Sequence, residues 1–174
     1  LASSTFGFFG LQYLPVAEFT AINMLTPVMV TLLAATLLRE QVSRLRWALV
    51  VGGFAGALIV IRPGSGLFGW AVLLPLAGSV AYASFQVLTR KLSALESPYT
   101  THFYTGLTGT LVVVALLLAS DVPLRATLQD ATALQIGLLL AIGTLGTLGH
   151  LMLVLAFGLA PTSTLMPFMY VQIA

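Results

Sequence analysis

The chain has 174 residues, of which 59% are hydrophobic and 7% charged, with a net charge of +2 and a mean hydropathy of +1.04. Soluble domains carry roughly 25% charged residues, and the Lys, Arg, Asp and Glu side chains here are too few to cover a sphere of this size with polar surface. Disorder is excluded too, because disordered chains are poor in apolar residues and rich in charge, which leaves lipid as the medium around most of the chain.

The seven basic residues are too few and too scattered for a phosphate-tracking stripe, so no nucleic-acid partner is expected. Cysteine is absent, which removes disulfides and thiolate metal sites. No basic segment leads into a short apolar core at the start, so no signal peptide is read. Leu1 stands where an initiator Met would, and Ala174 falls inside an apolar run. Both point to a piece of a longer protein.

Taken in chain order, the uncharged stretches set the expected spans. Residues 1–13 read as the end of one span, closed by Leu14-Pro15. Charge-free runs follow at 19–38, 47–61, 63–89, 97–120 and 131–174. A bilayer core needs about 20 apolar residues as a helix. The first run fits one crossing. The second is short, with Arg46 and Arg62 placed to snorkel from its ends. The third and fourth each fit a crossing plus a turn. The last is too long for one, and Gly158, Ala160 and Pro161 divide it into a helix near 133–157 and another starting at about 162. This predicts five full crossings and two partial ones. They are helical, because lipid offers no partner to unpaired backbone groups and the runs lack the alternation of a barrel.

Arg39, Arg44, Arg46, Arg90 and Lys91 fall in two loops an even number of crossings apart, with Arg62 and Arg125 opposite. The bias places the 39–46 and 90–97 loops in the cytoplasm. Tyr13, Trp47, Trp70 and Tyr99 fall near the expected interfaces, as an aromatic belt requires. Close helix approach is expected at small residues. Those singled out are Gly52 and Gly56, the stripe Gly143, Gly146 and Gly149, and the pair Ala77 and Ala81. Together they predict a tight bundle.

Tyr13-Leu14-Pro15-Val16-Ala17 opens one apolar helix and Leu159-Ala160-Pro161-Thr162-Ser163 opens another. Aligning Pro15 with Pro161 sets Thr26 opposite Gln172. Five crossings separate the copies, so they run in opposite directions. Inverted repeats of this kind are common in secondary transporters, with the site near mid-membrane.

Residues 21–63, AINMLTPVMVTLLAATLLREQVSRLRWALVVGGFAGALIVIRP, resemble the end of the first repeat in the EamA family of the drug/metabolite transporter superfamily. The resemblance lies in Leu25-Thr26-Pro27, in Leu37-Leu38 followed by Glu40, and in Ser43, Trp47 and Gly56. Residues 81–92, AYASFQVLTRKL, look like the first helix of the second repeat. Residues 160–172, with Pro167-Phe168 and Tyr170-Val171-Gln172, look like the start of its fourth. Arg39 departs from the pattern, since the family usually has Gly before the Glu. At Leu49, where a Gly often follows the Trp, Gly52 and Gly53 are the nearest substitutes. The resemblance implies an all-α integral membrane protein, a polytopic helical bundle of two inverted five-helix repeats. This chain would run from helix three to the start of helix nine. Residues 1–62 would be the C-terminal part of the first repeat and 67–174 the N-terminal part of the second. It further implies a secondary transporter of small metabolites or drugs, multi-pass in a bacterial-type inner membrane.

Polar groups within a bilayer are costly unless paired or facing a cavity, and they are the candidate pathway residues. Ser79, Tyr82 and Gln86 share a helical face, with Tyr82 and Gln86 neighbours at i and i+4. Asn23 and Thr26 share a face of the 17–38 helix, where Pro27 opens the hydrogen-bond ladder. Tyr170 and Gln172 enter from the second repeat. These seven are expected to line a central pathway that binds a polar solute through hydroxyls and amides. The alternative is that they only bond across helices or pack. His150 and His102 lie at membrane depth. Each is expected to be a neutral imidazole bonded to a carbonyl or interfacial water, with proton coupling through His150 as the alternative. Glu18 opens a helix on the outer side, where a carboxylate suits the dipole. It reads as a cap-region charge, or alternatively an entrance group linked to protons. Arg39, Glu40, Arg44 and Arg46 read as topology signals with local ion pairing, and Ser43 as a cap for the next helix. Asp121, Arg125 and Asp130 read as a solvated outer loop.

There is no HExxH, no GxSxG and no Gly-rich phosphate loop. No enzyme activity, metal or cofactor is therefore expected. The expected partners are the lipid bilayer and a small-molecule solute; monomer and homodimer both fit the sequence. The expected function is transport by alternating access, the two repeats rocking about a mid-membrane cavity. Against it stands a membrane structural or sensory module with no transported solute, which would pack the same polar faces dry.

Overall fold

The computed structural model describes residues 1–61, 69–120, 123 and 129–173, with only the backbone of Val60, Ile61, Gln172 and Ile173. Arg62, Asp121 and Arg125 lie outside the described residues. In chain order the helices are α1 (Ala2–Tyr13), α2 (Val16–Asn23), α3 (Thr26–Leu37), α4 (Arg44–Ile61), α5 (Leu73–Leu92), α6 (Pro98–Leu118), α7 (Ala133–Leu159) and the short α8 (Thr162–Leu165). A 3-10 turn, Trp70–Val72, leads into α5, and a 3-10 segment, Met166–Ile173, continues α8. No strand occurs among the described residues. The protein is an all-α, polytopic membrane bundle.

Among the described residues four spans are long and apolar enough to cross a bilayer: Val16–Leu37, Trp70–Leu92, Pro98–Leu118 and Ala133–Leu159. The expected fifth, α4, forms as an 18-residue helix with Arg44 and Arg46 in its first turn.

The expected single helix over 17–38 is two helices. Pro27 has no N–H to return to the carbonyl four residues back. The chain turns at Met24 and Leu25 and restarts at Thr26. In lipid a hydroxyl without water must bond inside the protein, and several here bond their own helix. Thr31 Oγ1 donates to the Pro27 carbonyl at 2.7 Å and Thr89 to that of Phe85 at 2.9 Å.

The helices pack around α5. Helices α1, α2 and α3 lie along it, and α7 touches it from the other side. A core of Val30, Val50, Ala83, Val87, Phe157 and Met166 ties α3, α4, α5, α7 and the 3-10 segment together. At one end Tyr13 meets Trp70, ring centroids 5.1 Å apart, as paired belt residues would.

The expected close approach fails at all five named glycines. A Cβ added at Gly52, Gly56, Gly143, Gly146 or Gly149 would meet nothing within 4 Å. Spacing puts each set on one face, but among the described residues no neighbour comes into Cβ contact at these glycines. Close approach occurs elsewhere. Gly10 lies against Phe19 and Pro75, Gly78 against Phe6 and the Ser3 carbonyl, and Gly53 against the Tyr170 ring.

Candidate functional site

The break between α2 and α3 is the centre of the site. Asn23 ends α2 and Thr26 begins α3. On α5, Ser79 and Tyr82 face them. Ser79 Oγ donates to Asn23 Oδ1 at 3.1 Å, a bond across 56 positions of sequence. Asn23, Thr26, Ser79 and Tyr82, four of the seven expected pathway residues, line one cavity of about 260 Å³. Ser3, Met24, Pro27, Gly78 and Met169 complete the lining. None of these nine side chains is formally charged at neutral pH. Ser3 and Met169 were not legible as site residues. Ser3 arrives because Gly78 lets α1 approach α5 closely, a signal visible only once the two are known to pack.

The other three expected residues stand differently. Gln86 does not line the cavity. One helical turn past Tyr82, it is fully buried. Tyr82 comes near enough to interact with it, yet neither Oε1 nor Nε2 of Gln86 meets hydrogen-bond geometry. Tyr170 likewise sits behind the cavity wall, where its hydroxyl donates to the Met24 carbonyl at 3.1 Å. The side chain of Gln172 lies outside the described residues.

The Tyr170 contact has a further property. Tyr170 follows Pro161 by nine residues and Met24 follows Pro15 by nine, so the alignment of the two prolines makes them equivalents. Both prolines cap their helices in the same conformation, φ −55° and ψ 148° at Pro15, φ −57° and ψ 143° at Pro161.

At the opposite end from the Tyr13–Trp70 pair, Glu40 does more than pair locally. Its Oε1 accepts the Thr162 N–H at 3.1 Å and its Oε2 the Ser163 N–H at 3.2 Å. The first turn of α8 has no side-chain cap of its own, and a carboxylate satisfies its free donors. Arg90 Nε lies 3.7 Å from Glu40 Oε1, and its guanidinium also donates to the Phe157 carbonyl. Arg46 donates to Ser163 Oγ at 3.3 Å. Ser43 accepts the Arg46 N–H at 3.3 Å, the expected cap of α4. The loops holding Arg39–Arg46 and Arg90–Lys91 thus share one end of the bundle, as the charge pattern required. Glu18 is in the first turn of α2 as expected, and is buried.

The histidines depart from expectation. Their partner in the structure is each other, Nδ1 to Nδ1 at 3.0 Å across α6 and α7.

Residues 1–62 match the model of the EamA-like transporter family. The match takes in Asn23, Thr26 and the α2–α3 break. Across nearly the whole chain, three relatives are similar to it. A riboflavin transporter of Rhizobium johnstonii is 30% identical over 91% of this chain and 51% of its own length. An S-adenosylmethionine uptake transporter of Rickettsia bellii is 26% identical over 95% and 54%. A pseudopaline exporter of Pseudomonas aeruginosa is 32% identical over 86% and 51%. The chain therefore spans about half the length of the curated relatives it matches. No solved structure matches it. The relatives are named for transport, not for catalysis.

Proposed function

We propose that this EamA-like chain belongs to a secondary transporter that moves a small polar solute by alternating access, and that the cavity at the α2–α3 break is its solute pathway. The observation that carries the reading is the cavity itself: hydroxyls and an amide from α1, α2, α3 and α5 converge at a discontinuous helix inside an otherwise apolar bundle. Non-helical backbone at membrane depth is tolerated where it lines a cavity. Broken helices are where secondary transporters hold their solutes. A structural module would pack these faces dry, and the open volume speaks against it.

Residues 1–62 would close one five-helix repeat and 67–174 open the inverted second. The Met24–Tyr170 contact supports this, because repeats related by a two-fold axis bring equivalent residues together on that axis. The basic loops support a bacterial-type inner membrane with those loops in the cytoplasm. Asn23, Thr26, Ser79 and Tyr82 would touch solute. Gln86, Tyr170 and Gln172 would support that wall from behind or from the second repeat.

The uncharged lining makes riboflavin, an uncharged polyhydroxylated molecule, the first solute to try; S-adenosylmethionine and pseudopaline follow from the other relatives. The test is uptake of labelled riboflavin into liposomes holding the full-length protein. Asn23→Ala and Tyr82→Phe are each expected to lower initial rate or apparent affinity by about tenfold, the effect of losing one good polar contact. If both variants bind and move every solute as the parent does, the assignment of this cavity fails.

A further inference from the structure

We propose that His102 and His150 form a single-proton site in the seam between α6 and α7, whose occupancy is felt at the solute cavity through Phe85 and Tyr82. The two imidazoles meet Nδ1 to Nδ1 at 3.0 Å. Such a bond needs an N–H on one side and a lone pair on the other. A neutral pair supplies them when the donor ring carries its hydrogen on Nδ1 and the acceptor ring on Nε2. The donor ring then has a free lone pair on Nε2. One proton can enter there, leaving the Nδ1–H to Nδ1 bond intact and the ring an imidazolium. A second proton has no place to go but the acceptor Nδ1. That would set two N–H groups and two positive charges face to face. The pair therefore holds one added proton, and taking a second breaks the seam.

The surroundings isolate the pair. Residues 97–120 and 131–174 contain no Asp, Glu, Lys or Arg. On α5 the titratable groups toward α7 are Tyr82, reached through Phe85, and Arg90. Arg90 bonds the Phe157 carbonyl, seven residues along α7 from His150, and is paired with Glu40. On α6 they are the exposed Tyr99 and Tyr104, with Glu96 in the connector before it. Helix α8 has no titratable side chain. Among the described groups, His102 is the titratable side chain in direct contact with His150.

A row of rings leads from the pair to the cavity. Centroids lie 5.2 Å apart between His102 and His150, 5.8 Å between His150 and Phe85, and 6.4 Å between Phe85 and Tyr82. The last two contacts are stacked, at 30° and 17°. Tyr82 lines the cavity. An imidazolium attracts an aromatic face that a neutral imidazole does not. Binding the proton thus draws Phe85 toward α7 and shifts Tyr82. By linkage, a solute that prefers one position of Tyr82 changes the proton affinity of the pair by the same factor. The link to a solute rests on the transport reading; the proton site does not.

The test uses the full-length protein in nanodiscs, with ¹⁵N-labelled histidine and 4-fluorophenylalanine at position 82 as a reporter that does not itself titrate. Over about pH 8 to 5, the range where histidine changes charge, one imidazole of the pair is expected to protonate while its partner stays neutral. The fluorine signal should move with the same midpoint. In His102→Gln, His150 should titrate as an isolated ring; in His150→Gln, which removes the ring stacked on Phe85, the fluorine shift should fall by about half or more. Two histidines that titrate independently would overturn the proton site, and a fluorine signal flat across the range would overturn the coupling. Should a histidine variant fail to insert, the wild-type series alone tests both the site and the coupling. In liposomes, His150→Gln should keep riboflavin counterflow but lose about fivefold of the accumulation driven by a proton gradient of either sign. Equal accumulation in both proteins would overturn the link to transport. If the parent moves no solute at all, the transport reading falls while the spectra still decide the proton site.

Discussion

The spans Val16–Leu37, Trp70–Leu92 and Pro98–Leu118 share a mean hydropathy of 1.6, yet 44% and 39% of the first two are buried inside the protein, against 6% of the third. Ala133–Leu159 is more apolar still, at 2.1, and equally open, at 6%. Hydropathy separates lipid from water. It does not tell how much of a helix the rest of this chain covers, because a neighbouring helix and an acyl chain are alike in polarity. What separates them is the kind of polar residue. Threonine is found in both regions and is uninformative, since its hydroxyl can bond its own helix, as Thr31 and Thr105 do at 2.7 Å. An amide or imidazole needs a partner elsewhere. Asn23 and Gln86 sit on the packed spans; the open ones carry one histidine each, turned toward each other, and Gln135, whose amide stays in its own helix cap.

The contrast can be broken at several points. Glu40→Ala should have the largest effect. It removes both acceptors of the first turn of α8 and leaves Arg90 unpaired in a half-buried place, a loss of about 2–3 kcal/mol seen as a lower midpoint in detergent unfolding of the full-length protein. Unchanged stability would mean that water replaces Glu40 at no cost.

Next come paired glycine changes. A Cβ at Gly53 would overlap the Tyr170 ring, so Gly53→Ala should cost about 1–3 kcal/mol and disturb the contact with Met24. Gly146→Ala, on the open face of α7, should be neutral or stabilise by up to about 1 kcal/mol, the ordinary helix preference for Ala. The same substitution giving the same sign in both places would erase the distinction between the regions.

Arg39 has φ 54°, the left-handed conformation where a side chain crowds its own backbone. Arg39→Gly should therefore stabilise by about 1 kcal/mol in the same assay. This is the position where the family usually has Gly, and the backbone explains why. Smallest is Ser79→Ala. Its bond to Asn23 should be worth about 0.6 kcal/mol, the average for such pairs between membrane helices, and a double-mutant cycle with Asn23→Ala would measure it.

The four cavity residues were legible from one rule, that a polar group in lipid must pair or face open volume. The rule does not tell those outcomes apart, which is why Gln86 and Tyr170 satisfy it without lining the cavity. Glycine spacing misleads for a related reason. Period fixes which residues share a face, not what that face meets, so the contact falls to Gly53 and not to Gly52 or Gly56. The cap from Glu40 onto α8 crosses 122 positions and leaves no local pattern.

Composition alone determined that the chain lives in lipid, since too few charges exist to wet its surface, and the positions of those charges marked the two loops that meet at one end of the bundle. The turn at Pro27 was determined locally, because a missing N–H acts wherever the helix lies. Tertiary structure alone decided which of two equally apolar surfaces faces protein, which carboxylate caps α8, and that two histidines 48 positions apart share a bond. Those outcomes depend on a few directional contacts between helices, and side-chain chemistry supplies the donors and acceptors without saying where their partners will be.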